Sequence, residues 1–176
     1  MIECRMIDSR NIEAVLLFKR DQLIYDIRNV AFVEGDILED EPSPHSKHLI
    51  QDIGEDGNID RVTRTLNLAH GECVEMLFPF TKRKIMVDCL DNRLVEKKVY
   101  SIFMTVPKNY SQTTLNVFED LVHEYLVSSV LADWLSITNP SKAATWEKKK
   151  EDLKMSIKSK VRSSRGRYRL SRHPFA

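Results

Sequence analysis

Glycine is scarce in this sequence, with five residues in 176. That argues against a many-turned β-sandwich and against a Rossmann-type enzyme with glycine-rich loops. There is no P-loop, no Gly-x-Gly-x-x-Gly run and no Gly-x-Ser-x-Gly elbow for a serine nucleophile. The three cysteines, Cys4, Cys73 and Cys89, cannot all pair within one chain, and their spacing fits no zinc motif. They read as reduced, structural thiols of a cytosol-like compartment. Long apolar runs are missing too. The run at 125–132 falls far short of the roughly 20 residues a membrane span requires. The start, Met1-Ile-Glu-Cys-Arg-Met6, has no apolar core after a basic residue and does not read as a secretory signal.

A large net charge is also lacking, since 27 basic residues face 26 acidic ones for a net +1. This excludes a uniformly basic nucleic-acid coat. The balance hides an asymmetry. Residues 1–141 hold 15 basic and 23 acidic side chains, net −8, while residues 142–176 hold 12 and 3, net +9. Such a split points to a charged arm that meets a partner.

The periodicity predicts a mainly α, α+β chain. One helical domain spans 1–162, with a four-helix bundle-like core and one β-hairpin, followed by an extended basic C-terminal arm at 163–176. Ile12, Val15, Leu16, Leu23, Ile27, Val30 and Ala31 make a helical stripe, although residues 15–18 also suit a short strand. Residues 34–60 carry nine carboxylates and one lysine and read as a long acidic loop. A second helix follows Asn58 as its cap, with Val62, Leu66, Ala69, Cys73 and Met76 on one face. Alternation then predicts the hairpin at 84–106, with Ile85, Val87 and Cys89 opposite Tyr100, Ile102, Met104 and Val106. The third helix is apolar over so wide an arc, from Leu115 to Trp134, that it reads as the central one. The fourth, at about 141–162, has a single stripe of Trp146, Leu153, Ile157 and Val161.

Three patterns imitate chemistry without completing it. Asp52, Asp56, Gly57 and Asp60 echo an EF-hand loop, but Gly54 and Thr63 stand where it needs an oxygen donor and a bidentate glutamate. His70-Gly-Glu72 matches half of a zinc deaminase motif and lacks the Pro-Cys-x-x-Cys half. His123-Glu124 has no second histidine four places on. The expectation is therefore a protein without catalytic residues, metal or cofactor.

The arm differs in kind from the helix before it. That helix uses lysine (Lys148, Lys149, Lys150, Lys154, Lys158, Lys160), which suits a water-facing surface. Arginine then takes over at Arg162, Arg165, Arg167, Arg169 and Arg172, interleaved with Tyr168, Leu170, Pro174 and Phe175. Guanidinium forks bind carboxylate or phosphate, and the apolar residues fill pockets on a protein. In an extended segment the arginines at 165, 167 and 169 share one side, and Tyr168 and Leu170 take the other. These nine residues are the expected partner-binding set. The competing partner is nucleic acid, with phosphates on the arginines and a base stacked on Tyr168.

Residues 121–140 (LVHEYLVSSVLADWLSITNP), the Trp146 helix and the basic arm give residues 113–176 a layout that resembles the head–tail connector (adaptor, neck) proteins of tailed bacteriophages. The acidic loop at 34–60 departs from it. The resemblance implies a virion structural protein, a ring of identical subunits contacting portal or tail components, and non-specific contact with DNA in the channel. It implies no membrane. The alternative is a nucleic-acid-binding accessory protein that uses the same basic helix and arm.

Overall fold

The stretch that suits both a helix and a strand, residues 15–18, is resolved by its neighbours. In a computed structural model, which describes residues 2–6, 11–37, 46–78, 80–82 and 92–165, it forms a strand. Strand β1 (Ile2–Met6) and strand β2 (Asn11–Lys19) make an antiparallel hairpin with Ile2 opposite Leu16. Ala14, Leu16 and Phe18 of β2 are buried on one face. They lie opposite Met104, Ile102 and Tyr100 of strand β3 (Val99–Pro107), giving a sheet of order β1-β2-β3. Over eight residues the helical and alternating periods are equally apolar, and the distant partner β3 decides between them.

The helix expected from the stripe that begins at Ile12 therefore starts later, as α1 (Arg20–Asp36). Its Lys19 cap makes no side-chain bond, and the Arg20 N–H instead donates to the Lys98 carbonyl at 3.1 Å. Asp21 in the first turn complements the helix dipole. The expected acidic loop is shorter than 34–60. α1 runs into it, and a short helix α2 (Ser46–Gln51) and a 3-10 turn at Asp52–Gly54 follow. Ile50 and Ile53 are buried there, and the Trp134 indole N–H donates to the Ile50 carbonyl at 3.0 Å. Gly35 permits this docking, because a Cβ there would stand 3.2 Å from the Lys47 carbonyl oxygen.

Helix α3 (Ile59–Met76) buries Val62, Leu66, Ala69, Cys73 and Met76, the expected stripe. Asn58 does not cap it with its side chain. The Asn58 amide donates to the Asp52 carbonyl at 2.9 Å and closes the preceding loop. The hairpin expected at 84–106 contributes its second half as β3, paired with β2. Residues 92–98 run without regular structure, and Ile85, Val87 and Cys89 lie outside the described residues. The outer edge of β3 is covered by other elements. Thr105 N–H donates to Phe80 O at 2.8 Å, and His70 Nε2 lies 3.1 Å from Ser101 O.

Helix α4 (Gln112–Thr138) is the central element, buried on most sides from Leu115 to Leu135. Asn139 ends it and caps helix α5 (Pro140–Arg165). The Asn139 side-chain oxygen accepts from Ser141 Oγ at 2.6 Å and from the Lys142 N–H at 3.3 Å, with Pro140 in the first turn. α5 then returns antiparallel along α4, burying Ile157 and Val161 fully and Trp146 and Leu153 in part. The chain is thus mainly α, a bundle of α1, α3, α4 and α5 closed by a small antiparallel sheet. Among the described residues no helix is long and apolar enough to cross a membrane.

Candidate assembly surface

The expected partner-binding residues divide at the end of α5. Arg162 sits exposed on its last turns, and Arg165 is its final residue, so the helix runs three residues into the expected arm. Arg167, Tyr168, Arg169, Leu170, Arg172, Pro174 and Phe175 lie outside the described residues.

The lysine face of α5 is less solvated than its composition suggests. Lys142 pairs with Glu34 of α1 at 3.2 Å, and Lys149 pairs with Glu124 of α4 at 2.9 Å. Lys150 and Lys154 pair with Glu147 and Glu151 one turn earlier, at 2.6 and 3.3 Å. The Lys149 ammonium also lies 4.8 Å from the Trp146 ring centroid, while the Trp146 N–H donates to Glu34 at 3.2 Å. These bonds fix the start of α5 beside the end of α1. Lys148, Lys158, Lys160 and Arg162 are exposed and have no ion-pair partner among the described residues. Within α5, three of these four unpaired cations lie in its last turns.

A second surface was not anticipated from the pattern. α1 packs inward through Leu23, Ile27, Ala31 and Gly35. On its outward side Tyr25 (66% exposed), Phe32 (55%), Val33 (49%) and Ile37 (60%) form an apolar strip. Asp21, before the strip, and Asp36, between Val33 and Ile37, are exposed on the same helix. Arg28 reaches from α1 to the Gly54 carbonyl and holds the 3-10 turn against the flank of the strip, beside exposed Asp52, Glu55 and Asp56. The apolar positions half a turn from the buried stripe were a readable signal, although the sequence does not say which stripe faces the core.

A groove of about 320 Å³ between α3, α4 and α5 is lined by Thr65, Leu68, Glu72, Asp133, Glu147 and Lys150. Its acids are occupied. Asp133 takes both arms of Arg61 at 2.8 and 3.0 Å, Glu147 pairs with Lys150, and Glu72 accepts the Tyr125 hydroxyl. Burial, then the bond to Glu72, pushes the Tyr125 hydroxyl far above its ordinary range, so it stays a neutral donor. No base or nucleophile is left poised there.

The histidines of two of the incomplete motifs make structural contacts, and Cys73 is a core residue. His70 supports the edge of β3, and burial holds its imidazole below the ordinary range, favouring the neutral form that donates to Ser101 O. Cys73 is a fully buried thiol that burial pushes well above its usual value. His123 lies 2.8 Å from Asp26 of α1, tying α1 to α4. No group of three metal-binding side chains occurs among the described residues. No protein-family model, curated protein or solved structure matches the chain.

Proposed function

We propose that this protein is a non-enzymatic structural subunit of a virion neck, a head–tail connector that docks on neighbouring subunits through the arm following α5. The observation that carries this reading is the way α5 is held. It is capped by Asn139, tied at its start to Glu34 and Glu124, and packed to Val161 near its end. From Trp146 to Arg165 it extends about 28 Å at about 1.5 Å per residue. A rigid strut of this kind fixes the position of its last residue, Arg165, after which the docking segment follows in the sequence. Two antiparallel helices of 27 and 26 residues leading into a basic arm also support the connector likeness.

The nucleic-acid reading draws on Lys148, Lys158, Lys160 and Arg162 and loses the lysines that carboxylates already hold. Deleting residues 166–176, after the helix has ended, separates the two. Docking predicts that the full chain forms higher-order species in sedimentation velocity. The shortened chain should be monomeric with the same melting temperature. Unchanged assembly refutes docking. Duplex binding that weakens about a thousand-fold between about 50 and 200 mM salt, with no self-association, transfers the arm to nucleic acid.

A further inference from the structure

We infer that the outward strip of α1 is the receptor for the arm of a second copy of this chain. The inference rests on the docking reading above and names the surface that it leaves open.

The strip has the chemistry that the arm lacks. Residues 166–176 supply Arg167, Arg169 and Arg172 among Tyr168, Leu170, Pro174 and Phe175, with no carboxylate side chain. The strip supplies Tyr25, Phe32, Val33 and Ile37, with Asp21 and Asp36 on the same helix and Asp52, Glu55 and Asp56 along one flank. None of these five carboxylates has an ion-pair partner among the described residues. Four large apolar side chains about half exposed or more on one helix face make an unusual surface for a solvated helix. Acids beside the apolar side chains give a cationic, apolar segment both its anchors and its register.

The dimensions agree. Tyr25 to Ile37 covers about 18 Å along the helix at about 1.5 Å per residue. Tyr168 to Phe175 reaches at most about 23 Å when extended. The occupant is a second copy because the strip points away from α4, on whose surface α5 and the start of the arm are carried. Arm on one face and receptor on another make a head-to-tail contact, which generates a ring when its rotation closes.

The experiment uses the full chain with Tyr168 replaced by p-benzoylphenylalanine, prepared as an equal mixture of 14N and 15N protein and irradiated. Cross-linked dimers whose mixed-isotope peptides join the arm to residues 21–37 are expected. The paired variant Tyr25→Ser with Phe32→Ser, both exposed, should keep the parent melting temperature and weaken self-association at least about tenfold, as loss of a packed apolar anchor does. Cross-links within one chain, or to another face of the second copy, overturn the strip as receptor. So does a paired variant that assembles like the parent. In those cases, loss of assembly on deleting 166–176 shows that the docking reading survives without this receptor. A parent chain that stays monomeric at every concentration overturns both.

Discussion

Replacing Ile157 with alanine tests whether α5 is the fixed strut on which the functional reading depends. Ile157 is 0% exposed and sits on the narrow stripe between α5 and α4. The change removes three carbons, worth about 2.4 kcal/mol at about 0.8 kcal/mol each. The cavity left behind raises the cost to about 3 kcal/mol, inside the usual range of about 2–5 for this substitution. That is about a 150-fold loss in the folding constant at about 1.4 kcal/mol per tenfold. For a chain of this length it lowers the melting temperature by about 6–12 °C. Met155, one half-turn away and 63% exposed, is the control. Met155→Ala should stay within about 0.5 kcal/mol. Urea unfolding followed by circular dichroism and tryptophan fluorescence measures both, with Trp134 on α4 and Trp146 on α5 reporting the two helices. If Ile157→Ala costs no more than Met155→Ala, α5 is not held by this stripe and the strut argument is wrong.

Asn139→Ala removes the side-chain cap at the start of α5 and should cost about 1 kcal/mol, read from the same urea midpoints. A cost near zero would mean that Pro140 alone sets the start of the helix. His70 predicts a pH effect whose sign follows from its burial. Its folded imidazole titrates below the unfolded value of 6.5, so its contribution is fully present above pH 6.5 and is lost as the solution is acidified through the lowered value. Ring-proton NMR should place the His70 titration below 6.5, and His70→Gln should flatten that part of the stability profile. A titration at or above 6.5 would refute the burial argument.

The parts legible in the sequence are those whose signal is local. α4 shows its central place through apolar residues on nearly every side, and Asn139-Pro140 marks both the end of one helix and the start of the next. The parts that were not legible depend on distant partners. Ile12, Val15 and Leu16 satisfy a helical stripe until β3 arrives some 90 residues later and pairs with β2. Asn58 has the chemistry of a cap, yet its side chain is drawn to the Asp52 carbonyl instead. Ile50 and Ile53 look like exceptions in an acidic loop and turn out to be its anchors beneath Trp134. The apolar strip of α1 shares its helix with a second apolar stripe, and only the packing on α4 tells which one faces water.

The charge asymmetry of the chain gains a spatial meaning from these contacts. Part of it is satisfied internally, where Lys142 and Lys149 bind Glu34 and Glu124 and hold α5 against the acidic body. The remainder is separated. Among the described residues, Lys158, Lys160 and Arg162 lie unpaired toward the end of α5, and Asp21 and Asp36 lie unpaired on α1. Complementary patches on different faces of one molecule can be satisfied between copies, by reciprocal exchange across a two-fold axis or by head-to-tail contacts. Charges at such a contact are screened within about 8 Å at physiological salt, whereas the Ile157–α4 packing is indifferent to it. Raising salt should therefore dissolve assemblies of this chain while leaving its melting temperature nearly unchanged, and a parallel loss of both would show that arm and body are one cooperative unit.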